Sequence, residues 1–112
     1  MKLVIENICK DFTNNRGKAL SVLQDINLTV NKEEFVALVG PSGCGKSTLL
    51  NIASGLLEPT SGTVKFTEVE AGYEPRMSIV FQETGLFPWR NVHDNIAFGL
   101  ETAGMPVNER EE

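Results

Sequence analysis

One segment constrains the fold of this chain more than any other, because it matches the P-loop pattern G-x-x-x-x-G-K-[ST]. The segment is Gly40-Pro41-Ser42-Gly43-Cys44-Gly45-Lys46-Ser47-Thr48. It follows the apolar run (residues 35–39, Phe-Val-Ala-Leu-Val), which is typical of a strand covered on both faces. It precedes a helix that we predict over residues 46–54. A strand, a glycine-rich loop and a helix in this order predict a phosphate cradle.

The residue types in the loop explain how such a cradle binds phosphate. The glycines let the backbone turn so that successive N–H groups converge on phosphate oxygens. The N–H group of Cys44 is one of them. The helix N-terminus adds further N–H donors and a positive dipole end. Lys46 is expected to reach the β- and γ-phosphates, and Ser47 to place its hydroxyl on Mg²⁺. The predicted ligands are therefore ATP or a similar triphosphate and Mg²⁺, bound by residues Gly40 to Thr48.

Other classes of glycine-rich loop fit this sequence less well than the P-loop does. A dinucleotide-binding loop would carry a third glycine where Thr48 stands, and Lys46-Ser47 suits a triphosphate better. A GTPase would need a guanine-reading N-K-x-D segment after the loop. The nearest string, residues 31–34 (Asn-Lys-Glu-Glu), lacks the Asp and comes before the loop. A chance glycine-rich loop is disfavoured because the match is complete and its context is right.

The rest of the chain reads as alternating strands and helices, the pattern of an α/β fold. Strands are predicted at residues 2–7, 26–30, 35–39, 63–67 and 78–81, and loops at residues 12–18, 31–34 and 68–76. A second helix is predicted after Asn91, which can cap it, and before Gly104. Its expected apolar face comprises Val92, Ile96, Ala97, Leu100 and Ala103. Pro106 is expected to open a further helix towards residue 112.

Composition excludes several function classes. The 112 residues suit one domain, and the net charge of -5 disfavours nonspecific binding to nucleic acid or anionic lipid. The apolar run is far too short to span a membrane, and the N-terminus lacks the features of a signal peptide. Cys9 and Cys44 are expected to be reduced thiols, since their spacing suits neither a zinc site nor a disulfide framework.

The segments around the loop resemble the ATP-binding subunit of ABC transporters. The resemblance rests on residues 22–30 (VLQDINLTV), 49–56 (LLNIASGL), 59–62 (PTSG), 79–83 (IVFQE), 86–89 (LFPW) and 91–96 (NVHDNI). Within the family the chain looks most like importers for nitrate, sulfonates and taurine. The resemblance implies a P-loop NTPase core of the ABC ATPase type with N-terminal antiparallel β strands. It also implies ATP and Mg²⁺ as ligands, a transmembrane permease and a second ATP-binding subunit as partners, and a place in the cytoplasm or on the cytoplasmic face of the membrane.

The resemblance assigns further roles. Gln82 resembles the Q-loop glutamine, which contacts Mg²⁺ or the attacking water, although a lone Gln can also be a solvated loop residue. Phe12 resembles the aromatic that stacks on adenine, with ordinary core packing as the alternative, and Val22 would add an apolar side wall. Residues 86–89 would face the permease or fold back over the core. His93 is expected at the surface.

Several motifs of the family do not occur in these residues. The Leu-Ser-Gly-Gly-Gln signature, the Walker B strand ending in Asp-Glu and the switch histidine should follow Gln82, and residues 98–112 contain none of them. Without the water-activating carboxylate and the signature motif, we expect weak nucleotide binding at best and no turnover. We also expect the sheet to lack the strands that flank the P-loop strand, leaving apolar edges exposed.

The sequence therefore predicts a truncated, partial ABC ATP-binding domain over residues 1–112. One hypothesis is the N-terminal portion of a transport ATPase subunit. The alternative is a gene fragment, or a nucleotide-binding regulator that pairs with an intact ATPase subunit. Another P-loop kinase or GTPase would leave the matches at Gln82 and residues 87–89 unexplained.

Overall fold

The computed structural model of the chain describes residues 1–83 and 85–110. These residues form two compact units, Met1–Ile79 and Val80–Glu112, which are treated separately below. The P-loop segment lies in the first unit and Gln82 in the second.

The first unit contains an antiparallel sheet with the strand order β2-β1-β3. Its strands are β1 (Lys2–Thr13), β2 (Ala19–Asn31) and β3 (Ser61–Thr67). The strands predicted at residues 2–7, 26–30 and 63–67 are confirmed, and β1 and β2 extend well beyond the first two predictions. The predicted loop over residues 12–18 is wrong for Phe12 and Thr13, which pair with Leu20 and Ala19. The two long strands keep pairing up to the tight turn that joins them, so only residues 14–18 remain as loop.

A bulge in β1 fixes how the three strands meet. Asn7 has a φ of 51°, and its main-chain N–H donates to Oδ1 of Asn27 at 2.9 Å. Its side-chain amide donates to Oδ1 of Asp25 at 2.8 Å. On the other side of β1, Gly62 has a φ of 95°, and a Cβ at this position would overlap the Asn7 carbonyl. Only glycine fits this point of β3 without moving the bulge.

Helix α1 (Lys46–Ala53) packs its apolar side against the sheet. The prediction of a helix over residues 46–54 is confirmed to within one residue. Gly55 follows in the left-handed conformation with a φ of 75°, as expected of a residue that ends a helix. The core of this unit is formed by Ile5, Ile8, Leu23, Leu49, Ile52 and Ala53.

The second unit is built around helix α2 (Val92–Thr102). The predicted cap is confirmed, because the Asn91 side chain accepts from the Asp94 N–H at 2.8 Å. The predicted apolar face is only partly buried: Ala97 is buried, but Val92 and Ile96 are largely exposed. Helical spacing shows which residues share a face and not how much of that face is covered.

The helix expected after Pro106 is a single 3-10 turn at Val107–Glu109. The predicted helix was to continue towards residue 112, but residues 111 and 112 lie outside the described part of the chain. Gly104, with a φ of 76°, ends α2 as predicted.

Two predicted strands are wrong for the described residues. Residues 35–39 and 78–81 belong to no helix or sheet, and within the described chain neither segment makes a main-chain hydrogen bond. Phe35 is 94% exposed and Val39 is 93% exposed. A strand requires a hydrogen-bonded neighbour, and the sheet β2-β1-β3 provides none for these segments.

Candidate phosphate-binding site

The P-loop turns away from the apolar run through two glycines in the left-handed region. Gly43 has a φ of 79° and Gly45, the residue before α1, has a φ of 98°. A Cβ at Gly45 would lie 2.8 Å from Cδ2 of Leu23 and 3.2 Å from the carbonyl oxygen of Val22. Glycine therefore lets the loop rest directly on β2. Val22, the predicted side-wall residue, lies beside the loop.

The loop and the first turn of α1 present a row of unused N–H groups. The first main-chain hydrogen bond of the helix runs from the Leu49 N–H to the Gly45 carbonyl at 2.9 Å. Within the part of the chain that the structure describes, the N–H groups of residues 42–48 have no acceptor in the protein. Unpaired donors at a helix N-terminus, added to the positive end of its dipole, suit an anion such as phosphate.

Lys46 supplies the positive charge of the loop. Its Nζ donates to the carbonyl oxygens of Gly40 at 2.6 Å and Pro41 at 2.7 Å, and it lies 3.5 Å from Sγ of Cys44. A Cβ at Gly40 would lie only 2.8 Å from that sulfur, so the loop closes tightly on itself. The ammonium group thus lies across the loop, next to the row of N–H donors.

The residues of the first helical turn differ in their access to solvent. Ser47 is exposed, and Thr48 is half-buried. Among the described residues, no three His, Cys, Asp or Glu side chains lie together as metal ligands. The Ser47 hydroxyl fits the way Mg²⁺ is commonly held, by a few protein oxygens together with phosphate oxygens and water.

Phe12, the predicted adenine-stacking residue, lies near the end of β1. Phe12 is 40% exposed and does not belong to the buried core, and Nζ of Lys10 lies 5.2 Å from the ring centroid. An exposed aromatic face is what stacking needs. Its role stays a prediction.

In the second unit, the structure places Gln82 at the surface. Its predicted role with Mg²⁺ and water stays a prediction. The expectation for His93 is confirmed, since its side chain is 65% exposed. Both cysteines of the chain, Cys9 and Cys44, are free thiols as predicted.

Sequence reasoning missed the side chain that shapes the loop before α2. Oδ1 of Asn95 accepts from the Phe87 N–H at 2.8 Å, and its Nδ2 lies 2.8 Å from the Asn91 carbonyl and 3.2 Å from those of Phe87 and Arg90. One amide therefore fixes both sides of the loop to the helix. The spacing of Asn91 and Asn95, one helical turn apart, was the available signal.

Arg90 joins the same loop to the far end of α2. Its guanidinium carbon lies 5.6 Å from the Phe87 ring centroid and 5.2 Å from that of Phe98. Nη1 of Arg90 also pairs with Glu101 at 2.9 Å. Of the two expectations for residues 86–89, the fold-back holds for Phe87, and the contact with a permease stays a prediction. Phe87 folds back onto α2, whereas Leu86 and Trp89 remain exposed.

Comparison with known proteins decides the family. The ABC transporter family model matches residues 23–112. The chain belongs to the ABC transporter family. An ABC transporter ATP-binding protein of Methanocaldococcus jannaschii is 47% identical over 111 residues, which cover 98% of this chain and 41% of that relative. A taurine import ATP-binding protein of Escherichia coli O157:H7 is 46% identical over 91 residues, 80% of this chain and 35% of that relative.

Solved structures of ABC cassettes agree with this assignment. A dimeric ATP-binding cassette in a post-hydrolysis state, bound to ADP and Pi, superimposes with a TM-score of 0.81 at 28% identity. The match covers 96% of this chain and 52% of the cassette. The fold is therefore an α/β fold of the ABC ATPase type, and its N-terminal antiparallel strands are confirmed. The chain spans about two-fifths of the curated relatives it matches.

A further observation concerns the membrane. Among the described residues, no helix has the length and apolar character needed to cross a bilayer.

Proposed function

We propose that this chain binds ATP with Mg²⁺ as the N-terminal portion of an ABC transporter ATPase subunit. The observation that carries the proposal is the row of unpaired N–H groups at residues 42–48 beside the Lys46 ammonium. In the proposed complex these N–H groups and Lys46 hold the phosphates, and the Ser47 hydroxyl serves as a ligand of Mg²⁺. Phe12 stacks on the adenine.

Lys46 gives the sharpest test of nucleotide binding. In Lys46→Ala the cradle keeps its backbone but loses its cation, so we expect ATP affinity to fall at least tenfold (about 1.4 kcal/mol or more). Lys18→Ala is the matched control, because Lys18 is an exposed lysine in the turn before β2. Titration calorimetry with MgATP measures both. Equal affinity in the two variants would contradict binding at the P-loop.

We infer that these 112 residues bind the nucleotide without steady-state hydrolysis. Hydrolysis requires a positioned water and stabilisation of the transferring phosphoryl group, in addition to phosphate binding. The sequence contains no Walker B carboxylate and no signature motif. A phosphate-release assay should show no turnover above the Lys46→Ala background. A clear rate that disappears in Lys46→Ala would contradict this part of the proposal.

The second unit carries the proposed contact with a transmembrane permease. Four large apolar side chains are 67% to 77% exposed on the loop and the first turns of α2: Leu86, Trp89, Val92 and Ile96. Three of them, with Trp89 as the exception, line a cavity of about 300 Å³. An exposed apolar patch of this kind is typical of a protein interface. A permease contact would hold the subunit at the cytoplasmic face of the membrane.

Substitutions in this patch should separate the two proposed sites. Trp89→Ala and Ile96→Ala should reduce co-purification with a permease while leaving ATP affinity unchanged. Tyr73→Ala is the control, because Tyr73 is an exposed aromatic of the first unit. Unchanged permease capture by the double variant would contradict this placement.

The proposed solute class is nitrate, sulfonates or taurine. Support comes from the taurine import relative and from the Phe-Pro-Trp segment at residues 87–89. Restoration of taurine uptake in cells lacking their own taurine ATPase, by a cassette that carries these residues at its N-terminus, would test this choice. The same cassette with Lys46→Ala should restore nothing.

A second candidate function is a nucleotide-binding regulator that pairs with an intact ATPase subunit. Two observations support this candidate: the chain covers only part of its relatives, and the similar solved cassettes are dimeric. Inhibition of an intact subunit's ATPase by stoichiometric amounts of this chain would support it.

A further inference from the structure

Three hydrogen bonds join the end of β1 to the segment between α1 and β3. The Thr60 N–H donates to the Cys9 carbonyl at 2.9 Å, and the Thr60 hydroxyl accepts from the Asp11 N–H at 2.9 Å. Nζ of Lys10 donates to the Glu58 carbonyl at 2.7 Å. Of the three, this last bond is the one made by a charged side chain. It holds the Lys10 ammonium at a fixed point beside the sheet.

The same ammonium lies over the ring of Phe12. Nζ of Lys10 is 5.2 Å from the ring centroid, within the distance at which a cation is attracted to an aromatic face. Phe12 is 40% exposed, so part of its side chain is open to a ligand. The ring therefore has a cation on one face, and the main chain of another segment holds that cation in place.

The segment that holds Lys10 is itself fixed to α1. Leu57, the residue before Glu58, packs against the core to which Leu49 and Ile52 of α1 belong. Helix α1 begins with Lys46 at the phosphate cradle. The contacts of Lys10 thus link the ring of Phe12 to the helix that carries the cradle.

We propose that Lys10 is a positioning residue for the adenine of bound ATP. Its ammonium holds the Phe12 ring in an orientation in which the other face of the ring receives the base. A ring that is already held in place loses less freedom on binding, which favours affinity. The inference rests on the proposed function, because it requires ATP at the P-loop and Phe12 against the adenine.

Two direct roles for Lys10 make different predictions. A Lys10 ammonium that contacts the phosphates would matter for any triphosphate, with or without a base. One that contacts the base itself would matter even without the Phe12 ring. A positioning role requires both the base and the ring.

NMR titrations of the 112-residue chain with MgATP and with magnesium tripolyphosphate, which has no base, separate these roles. Phe12→Ala should weaken ATP binding about fivefold or more, because the stacking contact is lost. Lys10→Met keeps the length of the side chain but loses its cation, and it should weaken ATP binding about two- to fivefold. Neither substitution should change the affinity for tripolyphosphate.

The double variant and a matched lysine complete the experiment. In the Phe12→Ala background, Lys10→Met should cause no further loss of ATP affinity, because the ring through which it acts is absent. Lys65→Met is the control, since Lys65 is an exposed lysine of β3 that pairs with Glu6. It removes the same charge from the same sheet and should change the affinity for neither ligand.

The outcomes distinguish this inference from the proposed function. ATP binding that Phe12→Ala weakens and Lys10→Met does not would overturn the inference and leave the proposed function standing. An equal loss for ATP and tripolyphosphate in Lys10→Met, or a loss for ATP that persists in the Phe12→Ala background, would also overturn it. A chain that binds neither ligand would contradict the proposed function, and unchanged ATP binding in Phe12→Ala would contradict the stacking; the inference fails in both cases.

Discussion

The sheet and the apolar run of the first unit make an instructive comparison, because both have sequences typical of strands and only the sheet pairs. β1, β2 and β3 find their partners within Lys2–Thr67. The apolar run is more hydrophobic than any of them, yet it is unpaired. The hydrophobic pattern therefore shows that a segment is able to form a strand. The presence of a neighbouring strand decides whether the segment pairs in a sheet.

The largest expected difference between the two regions is in stability. Leu23 is buried in the core between the sheet and α1, whereas Leu38 lies in the apolar run and is 41% exposed. Leu23→Ala should lower the free energy of unfolding by about 2–5 kcal/mol, because it leaves a cavity. Leu38→Ala should lower it by less than about 1 kcal/mol. Urea denaturation measures both, and equal losses would show that the apolar run belongs to the folded core.

A substitution at the bulge of β1 should lower the stability almost as much as Leu23→Ala. In Gly62→Ala the new methyl group overlaps the Asn7 carbonyl in a left-handed backbone, so we expect a loss of about 3 kcal/mol. Gly17→Ala is the matched control, since Gly17 has a φ of 75° but open space around it. That variant should lose only about 1 kcal/mol. Thermal unfolding followed by circular dichroism compares the two, and similar losses would contradict the close contact at Gly62.

A smaller loss of stability is expected from a substitution in the second unit. Asn95→Ala removes the amide that fixes Phe87 and Arg90 to α2, and it should release the loop at a cost of about 1–2 kcal/mol. Fluorescence of Trp89, the only tryptophan, reports on the loop. His93→Ala, an exposed residue of the same helix, is the control. An unchanged spectrum in Asn95→Ala would show that other contacts hold the loop.

The smallest effect concerns an exposed ion pair at the edge of the sheet. The hydrogen bond from the Lys2 ammonium, at 2.6 Å, lowers the pKa of Glu68 below its ordinary value. The contribution of this pair to stability is therefore complete above the ordinary pKa of a glutamate and is lost as the pH falls through the lowered pKa. Carbon NMR of the carboxyl group measures it. A pKa for Glu68 at or above its ordinary value, or one unchanged in Lys2→Ala, would rule out the pair.

Much of the phosphate cradle could be predicted from the sequence. The pattern from Gly40 to Thr48 and the helix after it depend on local chemistry: glycines in positive φ, and a helix start that leaves N–H groups free. The strands at residues 26–30 and 63–67 followed from period-two alternation. The ABC transporter assignment, which rests on Gln82 and the Phe-Pro-Trp segment as well as on the loop, is confirmed by the family match.

The failures have a common physical origin. The strands predicted at residues 35–39 and 78–81 depend on neighbouring strands that are distant in sequence or absent from it. The hydrophobic pattern of a segment does not show whether such neighbours are present. The exposure of Val92 and Ile96 has the same cause, because the periodicity of α2 does not show what covers its face. The Asn95 side chain was missed because its four contacts depend on the fold of the loop before it.

The most direct test of this comparison is amide hydrogen exchange in the 112-residue chain, resolved by NMR. We expect the amides of residues 36–39 to exchange at nearly the rate of an unstructured peptide, while the paired amides of β1 are protected. Protection of residues 36–39 equal to that of β1 in the isolated chain would contradict the unpaired state of the apolar run.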